Sequence, residues 1–287
     1  MILIADSGST KTEWRLVDKQ NHILSSTGQG LNPFFHTPEN LNALVGSETK
    51  ELTANKDLHD LQVFFYGSGC GSEQNKARLR QAIQLNFRQA SIEVESDLLG
   101  AARALWNKKE GITAILGTGM SSCVYNGSEI ILQQPSLGYI LGDEGSGADL
   151  GKNLIRDYLN GDLPSTLKTA MESRFQPGIG DILTKVYREP LPNRFLASFS
   201  KFIYQNLKEQ YCVDLVSERF RKFFEQHIIR YPGYKALHIS FCGSVAFWFS
   251  NILRAVAEEK GIVIDRIVET PMAGLCLYHL GEDFTVK

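Results

Sequence analysis

The chain of 287 residues has no Cys-x-x-Cys pair, and its five cysteines (Cys70, Cys123, Cys212, Cys242, Cys276) are widely spaced and odd in number. A disulfide framework needs pairs and an oxidising compartment, so these read as reduced, buried thiols of a cytoplasmic protein. The six histidines show no paired spacing either, which argues against a structural zinc site. Basic charge is not in excess: 30 Lys and Arg stand against 32 Asp and Glu, so a nucleic-acid backbone is not the expected partner. No apolar run approaches the roughly 20 residues of a membrane span. Residues 1–5 open directly as a strand, without a basic segment before a long apolar core, so no secretory leader is expected.

What the chain does have is 43% hydrophobic residues, enough core for two domains of ordinary size. It also has two glycine- and hydroxyl-rich turns, Asp6-Ser7-Gly8-Ser9-Thr10-Lys11-Thr12 and Gly117-Thr118-Gly119-Met120-Ser121-Ser122. Each lies between two strands, and such a turn offers backbone N–H groups and short hydroxyls to phosphate. Neither is a P-loop or a dinucleotide fingerprint. One such turn alone reads as a hairpin of ordinary turn residues. Two in matching positions suggest half-sites for one nucleotide.

The order of elements repeats. Strands at residues 2–5, 12–17 and 22–27 precede a helix that starts at Thr37-Pro38-Glu39 and runs to about 55. A strand at 61–66, a helix at 72–88, a strand at 92–95 and a helix at 98–105 follow. The pattern restarts with strands at 112–116, 122–125 and 130–132, the last two joined by the hairpin signal Asn126-Gly127. A mostly helical block at about 147–231 intervenes before a strand at 237–242, a helix at 245–260, a strand at 262–264 and a last helix from Met272. Val63-Phe64-Phe65-Tyr66-Gly67-Ser68-Gly69 is locally like Ile239-Ser240-Phe241-Cys242-Gly243-Ser244-Val245. The expected fold is therefore α/β: a five-stranded mixed sheet flanked by helices, made twice, with a cleft between the copies. The domains are expected at 1–110 and 111–287. The inserted block either caps the second lobe or forms a homodimer face.

Asp6 ends a buried strand, where a carboxylate needs compensation. Magnesium held through water beside phosphates would supply it, and so would capping of its own turn through Gly8 or Ser9. Asp97 opens a helix, where a capping role competes with that of a base accepting the proton of an attacking hydroxyl. Gly142-Asp143-Glu144-Gly145-Ser146-Gly147 sets two adjacent acids in a glycine-rich stretch. That favours a polyol or a cation, against the alternative of an acidic first turn complementing a helix dipole. Asn32 shapes its turn or grips a sugar hydroxyl.

Taken in order, Asp-x-Gly-x-Thr-Lys, Gly-x-Asn, Ser-Asp, Gly-Thr-Gly-x-Ser, Gly-Asp-Glu-Gly-Ser-Gly and Cys-Gly-Ser resemble the superfamily of acetate and sugar kinases, Hsc70 and actin. Within it, the chain resembles the N-acetylglucosamine kinases among the BadF/BadG/BcrA/BcrD-type ATPases, from Asp6 to about Gly274. The resemblance implies two ribonuclease H-like domains, ATP and Mg2+ as cofactors, and phosphorylation of an amino sugar, N-acetylglucosamine at its 6-hydroxyl first among them. It implies a first phosphate loop of Gly8, Ser9, Thr10 and Lys11, with Asp6 organising magnesium, and a second of Thr118, Gly119 and Ser121. Gly243, Ser244, Ala273 and Gly274 would surround the adenosine, Asn32 and Asp143 would hold sugar hydroxyls, and Asp97 would be the base. Ser7 stands where the first loop commonly has glycine, and Cys242-Gly243-Ser244 has one glycine where two are usual. Two other uses of the same cleft are an ATPase that activates a partner enzyme and a non-catalytic sugar or nucleotide sensor.

Overall fold

The computed structural model describes residues 1–176 and 178–282. The chain opens with β1 (Ile2–Ser7), antiparallel to β2 (Lys11–Val17), which pairs in turn with β3 (Ile23–Gln29). Next comes α1 (Pro38–Thr53), whose Thr37 hydroxyl accepts from the Asn40 N–H and whose first residue is proline, a start encoded locally. Then follow β4 (Gln62–Gly67), α2 (Glu73–Asn86), β5 (Ser91–Ser96) and α3 (Asp97–Trp106). Both β4 and β5 join in parallel, giving the order β3-β2-β1-β4-β5. With neighbours on both edges, β1 reads as an apolar run, whereas the edge strand β3 carries Ser, Thr, Gly and Gln and is largely exposed.

The second round begins with β6 (Gly111–Leu116), β7 (Met120–Tyr125) and β8 (Ile130–Gln133). Helices follow: α4 (Gly138–Leu141), α5 (Gly147–Asn160), α6 (Ser165–Phe175), α7 (Ile179–Tyr187), α8 (Pro192–Ala197), α9 (Ser200–Gln205) and α10 (Gln210–Phe223). The last runs into a π-helical turn, Phe224–Ile228. The chain ends with β9 (Ile239–Cys242), α11 (Ser244–Trp248), α12 (Ser250–Glu259), β10 (Ile264–Val268) and α13 (Met272–Leu280). The second sheet has the order β10-β9-β6-β7-β8, the first order repeated element for element from its central strand outwards. The duplication inferred from the motif order is thus a duplication of sheet topology.

Two local expectations need correction. The helix expected at 245–260 is broken at Phe249, which closes α11 and precedes α12. The strand expected at 262–264 lies later, because the Ile262 N–H is used by the Ala257 carbonyl (2.9 Å) after a left-handed Gly261 (φ 65°), so pairing with β9 starts only at Ile264.

The chain divides into two compact units. The first holds Met1–Lys109, Asn126–Ile130 and the segment from Thr270, and the second holds Glu110–Tyr125 and Ile131–Glu269. The long first segment of the first unit ends at Lys109, and α13 returns to that unit. The reason is local: a Cβ on Gly274 would stand 2.3 Å from the Ala104 carbonyl oxygen, so only glycine lets α13 lie this close to α3. Met272, Leu275 and Cys276 pack with Ile4, Val17 and Tyr66 on that face, and the His279 ring meets the Tyr66 hydroxyl at 2.9 Å. The other face is covered by α1 and α2 around Trp14, Phe65 and Leu79. In the second unit Phe220, Phe223, Phe224, Phe241 and Phe249 anchor one apolar core between sheet and inserted helices. Residues 283–287, part of the expected second domain, lie outside the described residues. Among those described, no helix is long and apolar enough to cross a membrane.

Candidate active site

In the first unit, the expected residues gather at the carboxyl ends of the parallel strands, where α/β sheets bind ligands. Register puts Ser7, Gly67 and Ser96 level across β1, β4 and β5, so Asp6 and Asp97 share one edge with β4 between them, roughly 10 Å apart along the backbone. The Gly8 N–H closes the first turn on the Lys11 carbonyl at 3.0 Å and so does not cap Asp6. Among the described residues the Asp6 carboxyl accepts no hydrogen bond. Burial, then the charges of Asp97 and Glu13, push its carboxyl up to about 7, with Lys11 acting the other way. A buried carboxylate without donors and beside a second one fits a cation. No group of three metal-binding side chains forms among the described residues.

Asp97 is the first residue of α3, and the cap is Ser96, whose hydroxyl accepts from the Leu99 N–H at 3.2 Å. That leaves the Asp97 carboxyl with the Leu98 N–H (2.9 Å). Burial raises it to about 6 against the pull of this bond and of its own N–H. Asn32 shapes its own turn and reaches the end of β4. Its Oδ1 accepts from the Phe34 N–H (2.9 Å), shaping the turn, and its Nδ2 reaches Ser68 Oγ at 3.4 Å at the end of β4. The loop is held by Ser7, whose buried Oγ accepts from the Leu31 N–H (2.9 Å) and shares a 2.8 Å bond with Thr12. A glycine at position 7 could not make this tie. Beside Asn32, Phe34 and Phe35 are 70% and 58% exposed, an apolar surface that sequence patterning did not single out.

In the second unit the Gly117 N–H closes its turn on the Gly119 carbonyl (3.0 Å). The Gly117 and Thr118 carbonyls accept from Gly147 (2.8 Å) and Ala148 (3.1 Å), so the first turn of α5 fixes this turn. Asp143 sits against it. Its backbone is left-handed (φ 59°), its carboxylate accepts from the Met120 N–H, and a Cβ on Gly119 would stand 3.2 Å from its Oδ2. Burial raises it to about 6 in spite of that bond, helped by Glu144 and Asp149 and opposed by Lys152. The two adjacent acids part company, because Glu144 turns to His227 (Oε2 to Nε2 2.8 Å). Burial, the largest single influence, favours protonation of Glu144, but this bond, its own N–H and the charges of His227 and Arg219 together hold its carboxyl below the usual range. The acid serving the first turn of α5 is Asp149, which accepts from the Gly145 N–H (3.0 Å) and is held by Arg219 (2.7 Å).

Gly243 and Ser244 lie where β9 leads into α11. Gly243 has φ 117°, and a Cβ there would stand 2.3 Å from the Leu116 carbonyl oxygen, which brings this junction to the end of β6 beside the second turn. Ser121 Oγ meets Ser136 Oγ at 3.2 Å at an exposed position. Of the last pair, Ala273 is exposed on α13, whereas Gly274 is buried against α3.

No protein-family model matches the chain. A crystal structure from Porphyromonas gingivalis, solved under the provisional name N-acetylglucosamine kinase, is 40% identical with a TM-score of 0.93, covering 98% of this chain and 99% of its own. A second, from Chromobacterium violaceum and provisionally named in the same way, shares the fold at 17% identity and TM-score 0.70, covering 96% and 98%. The N-acetylmuramic acid/N-acetylglucosamine kinase of Clostridium acetobutylicum is 24% identical over 233 residues, 76% of this chain and 73% of that protein.

Proposed function

The chain belongs to the N-acetylglucosamine kinase-like actin-like ATPases, and on that premise we propose that it is an ATP-dependent kinase that phosphorylates the 6-hydroxyl of N-acetylglucosamine. The observation that carries the reading is Asp97: a carboxyl at the head of α3, raised to about 6, on the same strand edge as Asn32 and Asp6. At neutral pH it is ionised yet basic enough to take a proton, the balance a general base needs.

Asn32 and Asp143 bind sugar hydroxyls, and the exposed Phe34 and Phe35 give an apolar face to a pyranose ring. Asp97 accepts the proton of the 6-hydroxyl as that oxygen attacks the γ-phosphorus of ATP; the bond to the β-phosphate oxygen breaks and ADP leaves. Gly8, Ser9, Thr10 and Lys11 of the first unit and Thr118, Gly119 and Ser121 of the second bind the phosphates. Gly243, Ser244 and Ala273 accept the adenosine, with Gly274 allowing α13 its position. Asp6 would hold magnesium through water, which supplies charge neutralisation to the phosphates when bound. Cys70 does not favour an activator with a cysteine-bridged cluster, since burial, with the Asp97 charge, pushes its thiol up to about 12.

The test is ADP release across N-acetylglucosamine, glucosamine, N-acetylmuramate, N-acetylmannosamine and glucose, with the position of the new phosphate read by NMR. Turnover highest with N-acetylglucosamine and a 6-phosphate product is expected. Sugar-independent ADP release alone would overturn the reading.

A further inference from the structure

Arg219, Phe223 and His227 follow one another at intervals of four residues, and all three touch the stretch of chain that carries Asp143. Arg219 Nε binds Asp149 Oδ2 at 2.7 Å, Phe223 Cβ lies 3.1 Å from where a Cβ on Gly145 would stand, and His227 Nε2 meets Glu144 Oε2 at 2.8 Å. Four residues of α-helix overshoot a full turn by about 40°, so a third side chain at this spacing would drift off the row. The π-helical turn Phe224–Ile228 is wider and falls short of a full turn over the same interval. It brings His227 back into line, stacked on Phe223 at 5.8 Å.

His227 is buried, and its Nδ1 has no hydrogen-bonding partner among the described residues. What it does provide is a tether on the residue next to Asp143. Asp143 holds a left-handed backbone (φ 59°), a conformation that Asp tolerates better than most residues with a Cβ. With Glu144 drawn to His227, the Asp143 carboxylate is left with the Met120 N–H and the space in front of Gly119.

We infer that His227 is a positioning residue for Asp143, acting through its bond to Glu144, so that affinity for the amino sugar depends on that bond. This rests on the assignment of Asp143 to the sugar made above. His227→Phe keeps a ring on Phe223 and removes the donor, and His227→Gln restores a donor of similar reach. With N-acetylglucosamine as the probe, His227→Phe is expected to raise the sugar KM tenfold or more while the ATP KM stays within twofold, and His227→Gln to return within threefold of wild type. Equal rises in both KM values, an unchanged sugar KM, or a glutamine variant as impaired as the phenylalanine one would overturn the inference. If His227→Phe does not fold, Glu144→Ala makes the same comparison, with the same sugar-selective rise expected and an equal effect on both substrates counting against it. Wild-type protein that turns over no sugar brings down the kinase reading and this inference together, whereas normal wild-type turnover with an unaltered His227→Phe brings down the inference alone.

Discussion

A Cβ on Gly69 would stand 2.5 Å from Asn32 Oδ1, so the end of β4 and the loop after β3 are fitted to each other at a glycine with φ 84°. Gly69→Ala meets two penalties, a left-handed alanine and displacement of the Asn32 amide. Urea unfolding should show a loss of about 1–3 kcal/mol. If Asn32 grips a sugar hydroxyl, the sugar KM should also rise at least severalfold with the ATP KM unchanged. Stability lost with the sugar KM intact would confine Asn32 to shaping its turn.

The raised carboxyls of Asp97 and Asp143, both at about 6, make opposite statements about a pH profile. A base works ionised, so at saturating ATP kcat/KM for the sugar should be level above pH 6 and fall about tenfold per unit below it. Asp97→Asn should lose at least about a hundredfold in kcat and lose the acidic limb. Asp143→Asn, whose amide tolerates a left-handed backbone, should raise the sugar KM yet keep the limb. A limb that survives in Asp97→Asn would assign it to another group.

Asp6 couples the site to stability. Its folded-state value of about 7 lies above the ordinary 3.8, so between these the folded state binds more protons and stability falls as pH rises. Metal-free protein should therefore melt lower at pH 7.5 than at pH 5, and Asp6→Asn should flatten that slope and raise the melting temperature at pH 7.5 by a few degrees. Millimolar magnesium with ATP should stabilise wild type more than Asp6→Asn. A variant stabilised as much as wild type would remove Asp6 from metal binding.

The parts legible in the sequence were those written in short-range chemistry. Thr37-Pro38 and Ser72 start their helices as read, because the capping hydroxyl and the helix it caps are neighbours in the chain. The duplicated sheet was legible because the motifs repeat in order. What escaped depends on partners far along the chain. The return of α13 to the first unit rests on Gly274 meeting Ala104, and the divergence of Asp143 from Glu144 rests on His227, 83 residues away from Glu144. For Asp97 the sequence left capping and base roles open; the adjacent Ser96 takes the N-cap, and the Asp97 carboxyl keeps the Leu98 N–H.

Gly243 and Ser244 lend themselves to one comparison that separates architecture from ligand contact. Gly243 combines φ 117° with a would-be Cβ 2.3 Å from the Leu116 carbonyl oxygen and 3.2 Å from the Gly117 nitrogen. Gly243→Ala must therefore push β9 away from β6 or unwind the start of α11, and the obstacle is backbone, which does not yield as a side chain would. A loss of at least about 2 kcal/mol is expected, so weakened ATP binding in that variant would say nothing about contact with the nucleotide. Ser244 is the cleaner probe. As the first residue of α11 it has no strained backbone to protect, and Ser244→Ala should leave the melting temperature within about 2 °C. If its hydroxyl or its setting meets the adenosine, the ATP KM rises severalfold while the sugar KM stays put. An unchanged ATP KM in a fully stable Ser244→Ala would move the adenosine pocket away from the β9–α11 junction.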